Sequence, residues 1–553
     1  VTNDGGFNLL YEPWIVVLDP RGTEQELSIV DVFEHAPLLR AVGGEVPTQS
    51  FAIIRLLLAF LHRALDGPED ESDWGRLWRD EDLPMDRIRA YAERVTHRFD
   101  LFDVDAPFFQ VPGLCTEKGE ESGLERLVAD VPNGEPLFTT RSPASLSTIE
   151  PAEAARWLVH AHAFDPAGIK TGVVGDPTVQ GGRSYGSSVG WSGQIGGVLP
   201  QGASLRETLL LNLVGRNVET YVRIGGPDDV PPWERDVDSA KWSDKRPPKG
   251  AIDLYTWQTR RVRLVGGRDG VTGVVLAKGD VIPPHNLHGV DPHAAWRYSK
   301  PQSKKLNQVV YMPRTHEPEQ VVWRGIAAML PSVSGRRGSG REASASLAPG
   351  VLQWIGELVR EGELPDDYRP RVRAVGTRYG TQNAVYDEIL DDVLPLSVAL
   401  LRQDDPALGQ VAEQAVIDSE EVARAVWRFA ENLARAAGSE PQSGAGDAAR
   451  EQLYAALDAP YRKWLATLGA DSDVSSARTA WQYTVAGACW PVARELLRAA
   501  GPSAWRGRDV DGRLVNVARA ESWLRADLRK KLPLAHPPRE EATPDEVTLE
   551  GAS

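Results

Sequence analysis

The chain has 553 residues, 42% of them hydrophobic and 25% charged, an ordinary globular composition that excludes disorder as its main state. At roughly 100–200 residues per domain, the length suggests about three domains. A net charge of −16 argues against a protein held to nucleic acid by its overall field, so any such binding must come from local patches or a shared assembly.

The two cysteines, Cys115 and Cys489, exclude a disulfide scaffold or a cysteine-built zinc site and point to a reducing cytoplasm. The opening VTNDGGFNLL has neither a basic n-region nor an apolar h-region, so no secretory leader is expected. The longest apolar runs, such as Ile53 to Leu61, are broken by Arg55 and His62, short of the ~18 residues a membrane span needs.

Residues 1–383 read as a mixed α/β domain. Strand-like runs lie at Trp14–Leu18, Thr220–Ile224, Arg261–Val265, Val271–Leu276 and Gln308–Met312. Helices are expected at Thr48–Leu65, between Pro47 and Gly67, and at Ala152–Phe164. Two Gly/Ser-rich stretches, Gly168–Gly202 and Ser332–Ser346, read as long loops, which usually carry function. From Ala384 to Leu532 strand signals vanish, and helices are expected at Ala384–Arg402, Pro406–Ala437, Ala448–Leu468, Val474–Ala499 and Val515–Leu532. Val422, Val426, Phe429 and Leu433 share one helical face, as a bundle requires. The tail, 533–553, is polar, acidic and Pro-bearing and reads as disordered. The fold class expected is therefore α+β: a large mixed N-terminal domain followed by an all-α, four-helix-type bundle.

Neither Gly-rich stretch ends in Gly-Lys-Ser/Thr or carries G-x-G-x-x-G, so a nucleotide-dependent enzyme is not expected. No G-x-S-x-G elbow occurs, and no cofactor is expected. His285, His288 and His293 fall within nine residues, and three imidazoles can hold an open zinc site. Their segment is broken by prolines and reads as a surface loop, but it keeps a stand-alone metal-dependent hydrolase among the alternatives. Basic patches do occur. Lys245, Arg246 and Lys249 lie beside Trp242; Lys300 and Lys304 lie near Tyr298; and Arg424, Arg428 and Arg435 fall within about 40° on one helix. Such patches with aromatics suggest phosphate contact. A nucleic-acid-independent helical scaffold is the remaining alternative.

The segment FNLLYEPWIVVLDPRG, Phe7 to Gly22, together with LRETLLLNLV, Leu205 to Val214, resembles the CasA family, the large subunits of the type I-E CRISPR Cascade complex. The resemblance runs in outline over most of the chain. It implies a non-catalytic subunit that probes duplex DNA for a protospacer-adjacent motif, helps open the duplex and form an R-loop, and presents the DNA to a recruited helicase-nuclease. Guide pairing reads the sequence in such systems, while protein reads the short motif. The implied minor-groove loop is Gly181, Gly182, Arg183, Ser184, Tyr185 and Gly186, with Lys278 the candidate motif-contacting lysine. The implied strand-separating wedge is a short hairpin with Thr381, Gln382 and Asn383 at its tip. Phe138, Thr139 and Thr140 match the loop that meets the 5′ handle of the CRISPR RNA. Other Cascade subunits are implied partners, and no membrane is.

Overall fold

The computed structural model describes residues 6–131, 139, 141–142, 145–216, 222, 224–334, 345–440 and 444–536. The fold is mixed α+β, and the chain divides into two compact units, Val1–Gln410 with Leu468–Ala470 and Val411–Thr467 with Asp471–Ser553.

The first unit is built around the helix Pro47–Leu65. Pro47 sits at the first helical position, where its missing N–H is no loss, and Asp66 ends the helix at φ +40°. Nearly every side chain on this helix is buried, so it is wrapped by protein all round. By length and composition this 19-residue helix is apolar enough to cross a membrane, against the expectation that no segment approaches that limit; here it is the core. Its one buried guanidinium, Arg55, donates to Asp291 at 2.9 Å. The same carboxylate accepts from the Trp191 indole at 2.6 Å and the His293 amide at 2.9 Å. The helix Pro151–Phe164 packs beside it, with Thr48 and His160 hydrogen-bonded at 2.9 Å.

The sheets are small and antiparallel. Ile15–Leu18 lies between Glu24–Leu27 and Ala41–Val42. Arg371–Tyr379 lies between Gly197–Gln201 and Tyr386–Pro395. Trp296–Tyr298 pairs with Tyr311–Pro313 and Ser346–Leu347. Two hairpins complete the set: Arg260–Gly267 with Gly270–Lys278, and Gly168–Thr171 with Arg183–Ser187. The stretch Gly168–Gly202, expected as loop, is thus largely a hairpin and a core strand. Most of the strand expected at 220–224 lies outside the described residues.

The expected helix Ala384–Arg402 is instead the edge strand Tyr386–Pro395 followed by a short turn of 3-10 helix. Its buried positions, Tyr386, Leu390 and Leu394, are four apart and imitate a helical face. A bulge at Asp387 sets Tyr386 opposite Tyr379 and Glu388 opposite Arg378, so Tyr386 lies on the other face of the sheet from Leu390 and Leu394, and the acids between are engaged: Glu388 accepts from Arg378 at 2.8 Å, and Asp392 from the Val322 amide at 3.3 Å.

In the second unit the helix Ala407–Ala437 buries Val422, Val426, Phe429 and Leu433. The helices Ala445–Thr467, Val474–Ala499 and Val517–Lys531 supply Leu457, Trp481 and Leu524 to its interior. Indole and phenol groups meet backbone carbonyls there: Trp481 donates to Ala415 at 2.8 Å and Tyr461 to Ala412 at 3.1 Å. Burial pushes the Cys489 thiol up to about 12, consistent with a small core residue. A hairpin, Arg508–Val510 with Arg513–Val515, interrupts the expected all-helical texture. Of the tail at 533–553, residues 537–553 lie outside the described set.

Four histidines, His62, His160, His162 and His293, are buried, and desolvation draws each from 6.5 to about 3. The unfolded chain therefore binds more protons than the folded one between these values, and stability falls as pH drops below 6.5. Denaturant midpoints measured from pH 7.5 to 5 are expected to decline from about pH 6.5, well above the carboxylate range, and His62→Gln is expected to flatten that decline. Asp291→Ala leaves Arg55 uncompensated and is expected to cost about 3–5 kcal/mol in chemical denaturation.

Candidate nucleic-acid interface

The helix Pro151–Phe164 ends at a point where two loops meet. Asp165, the residue after it, is buried and pairs with Arg260 and Lys170. Arg260 is itself buried, and its guanidinium also donates to the carbonyls of Asp165 at 3.0 Å, Pro166 at 2.9 Å and Ser188 at 2.7 Å. Pro166 and Ser188 flank the hairpin Gly168–Ser187, so one side chain closes its neck. Burial alone raises the Asp165 carboxyl, but Lys170 and Arg260 outweigh that and hold it below its ordinary value.

The connection of this hairpin, residues 172–182, returns to the second strand through a tight turn of its own at Gln180–Arg183. Gln180 and Arg183 exchange backbone hydrogen bonds of 2.9 and 3.2 Å around Gly181 and Gly182, at φ +56° and +73°. That is the pattern of a type I′ turn, and glycine adopts it without steric cost. Gly172 is needed for another reason: a Cβ there would lie 2.7 Å from the Gly182 carbonyl carbon. Arg183 and Tyr185 are exposed, whereas Ser184 is buried and donates to Asp176 at 3.1 Å.

Lys278 does come to this hairpin. Its ammonium donates to the Tyr185 carbonyl at 2.8 Å and stands 3.5 Å from the centroid of the Trp242 ring. The Trp242 indole donates to Thr178 at 3.1 Å, and Thr178 donates to Asp176 at 2.8 Å, which closes a ring of contacts back to Ser184. Burial draws the Lys278 ammonium below its ordinary value, against the pull of Asp176 and Asp244.

Thr381, Gln382 and Asn383 form the exposed turn between the strands Arg371–Tyr379 and Tyr386–Pro395, a hairpin rather than the cap of a bundle helix. Gln382 and Asn383 both have φ +56°, and the Ala384 amide donates to Thr381 at 3.1 Å. Below the turn the cross-strand pair Tyr379 and Tyr386 directs both hydroxyls at the Phe164 carbonyl, at 2.6 and 3.2 Å. Burial raises both phenols well above their ordinary value, so they remain donors. The Asn383 carbonyl accepts from the Ala167 amide at 2.8 Å, which ties this turn to the start of the glycine hairpin.

The other expected residues are dispersed. Lys245, Lys249, Lys300 and Lys304 are exposed, the last two on a short helix, Lys300–Leu306. Arg246 is engaged internally: it pairs with buried Asp253 at 2.7 Å and stacks 3.9 Å over Trp257. On the second unit Arg428 pairs with Asp527 and Arg435 with Asp511, both at 2.8 Å, and Arg424 lies 3.4 Å from Glu421. Exposed pairs of this kind are worth about 0–1 kcal/mol and exchange readily. Thr139 accepts from the Arg141 amide at 3.1 Å, while Phe138 and Thr140 lie outside the described residues. His285, His288 and His293 do not converge: His293 is buried against Asn212 at 3.1 Å, and His288 faces Trp296 and Tyr311. Among the described residues no three His, Cys, Asp or Glu side chains are grouped to hold a metal.

The family model described as CRISPR-associated protein Cse1 matches residues 8–492. The chain belongs to the Cse1 (CasA) family, the large subunits of type I-E Cascade. It is 33% identical over 456 residues to a CRISPR-associated protein CasA/Cse1 of Thermus thermophilus, covering 80% of each chain. Its fold is similar to the crystal structure of Thermobifida fusca Cse1, with TM-score 0.88 and 46% identity over 97% of this chain and 99% of that one. Cse1 from Acidimicrobium ferrooxidans gives TM-score 0.80 at 33% identity, over 96% and 98%.

Within this Cse1-family chain, sequence reasoning missed the supports: Arg260, Asp165, Lys170, Asp176 and the tyrosine pair. A buried arginine at a strand start looks like any solvated one in sequence, whereas Lys278 and the two turns are visible through the family resemblance. Replacing both Tyr379 and Tyr386 by Phe removes two donors from Phe164. The double variant is expected to lose about 1–3 kcal/mol of stability and to exchange the Asn383 and Ala384 amides faster in hydrogen-exchange mass spectrometry.

Proposed function

We propose that the chain acts without catalysis as the large subunit of a CRISPR RNA-guided surveillance complex, recognising a short motif in duplex DNA and starting strand separation beside it. The observation that carries this reading is that the hairpins bearing two side-chain-poor or uncharged turns, Gly181–Gly182 and Gln382–Asn383, are both tied near the end of one helix and line one cleft. A glycine tip suits a minor groove only about 6 Å wide, where side chains exclude a close backbone. Lys278, held at the base of that hairpin, supplies the nearby cation. The Gln382–Asn383 turn enters below the motif and holds bases apart at a cost of roughly a few kcal/mol per unstacked step, offset by backbone contacts.

Exposed lysines, Lys245, Lys249, Lys300 and Lys304, and the exchangeable arginines Arg424, Arg428 and Arg435 add sequence-independent phosphate contacts. The loop at Phe138, Thr139 and Thr140 meets the 5′ handle of the guide RNA and anchors the subunit among the other Cascade subunits. The opened DNA is then presented to the helicase-nuclease.

Changing Gln382 and Asn383 together to Gly suits their left-handed φ and is expected to leave the fold within about 0.5 kcal/mol of wild type. R-loop formation by the assembled complex is expected to slow on linear, fully paired DNA and to recover on a target pre-melted next to the motif. Equal impairment on both substrates would show that the turn reads or anchors DNA and does not part strands.

A further inference from the structure

Between the two turns lies a cleft of about 290 Å3. Gly182 and Arg183 from one hairpin and Ala384, Val385 and Tyr386 from the other line it. Its charged lining is Glu125, Arg126, Asp165, Lys170 and Arg183. Three cations line it with two acids, and Asp165 is further neutralised from behind by Arg260, so the cleft carries a local positive excess in a chain of net −16. Arg126 and Arg183 are exposed and have no ion-pair partner among the described residues. Lys170 is mostly buried; burial draws its ammonium down to about 8 even though Asp165 pulls it back up, and Arg126 adds like-charge repulsion. Such a group gains from an added anion, which would offset both its desolvation and that repulsion.

The size is small. Binding pockets start at roughly 300 Å3, so the cleft admits one sugar-phosphate unit and no duplex. Ile169 and Leu276 line it, but among the described residues it offers no exposed aromatic face: Tyr386 is buried and its hydroxyl is engaged with Phe164. Without a stacking platform a base is not identified, and recognition falls on the backbone charge.

We propose that this cleft captures a single phosphodiester of the unpaired DNA strand leaving the fork beside Gln382 and Asn383, and so keeps the duplex open once it has been parted. This rests on the DNA-opening reading above and adds a separate ligand site to it. Binding is sequence-independent and acts on the lifetime of the opened state.

The test uses the complete guide-RNA complex and targets carrying one uncharged methylphosphonate linkage, moved position by position along each DNA strand near the motif. Wild type is expected to lose about tenfold in R-loop lifetime at one position. Arg126→Ala, at an exposed residue, and Ile169→Trp, which fills the cleft without changing charge, are each expected to shorten that lifetime on unmodified DNA. Both are then expected to respond less than about twofold to the same linkage, since the contact it probes is already lost. A wild-type complex that opens DNA in a motif-dependent way, yet shows no position coupled to Arg126 or Ile169, overturns the cleft assignment and leaves the opening reading intact. Absence of motif-dependent opening in wild type overturns both. Coupling found only when the neutral linkage is placed in the guide RNA overturns the assignment to DNA.

Discussion

The end of one helix bears both loops of the candidate interface. Phe164 offers a carbonyl to two tyrosines from the Gln382 hairpin, and the next two residues are gripped by Arg260, which also holds the far side of the glycine hairpin. A helix C-terminus leaves carbonyls without intrahelical partners, and here those carbonyls are the attachment points. The geometry depends on Arg260 being able to donate in several directions from one rigid plane, which lysine cannot do.

That arrangement places charge where charge is costly. Arg260, Asp165 and Lys170 are all largely removed from water, and ion pairs in such settings often contribute little net stability. Their value lies in direction: Asp165 is shared by both cations, so its loss leaves two buried charges unpaired, and placements of the hairpin neck that break these pairs are disfavoured. The Arg55–Asp291 pair in the central helix has the same character, with Trp191 and His293 oriented on the same carboxylate. By contrast, the arginine pairs on the second unit are exposed, and their geometry fixes nothing.

Much of the scaffold was legible in sequence because it follows from pattern. The helix after Pro47, the strands around Arg261 and Val271, and the apolar face at Val422, Val426, Phe429 and Leu433 are direct readings of periodicity. The strand Tyr386–Pro395 was not, because the acids Glu388 and Asp392 and the bulge at Asp387 break the alternation and leave a four-residue spacing that copies a helix. The Gly-Gly tip reads as a turn in any sequence, but the Gln-Asn turn became visible only through the resemblance to CasA. The metal alternative rested on proximity in sequence, and folding separates those histidines into a core position and a loop. Arg260 and Asp165 lie 95 residues apart, and nothing local announces their meeting.

Because the Gln382 hairpin and the neck of the glycine hairpin are fastened to consecutive residues, 164–167, the two hairpins stand like the jaws of a caliper on one helix end. Under the proposed function, the number of base pairs between the motif and the first opened step is then a length measured in protein, fixed before any DNA arrives. An extra base pair inserted between motif and target would fall outside the gauge.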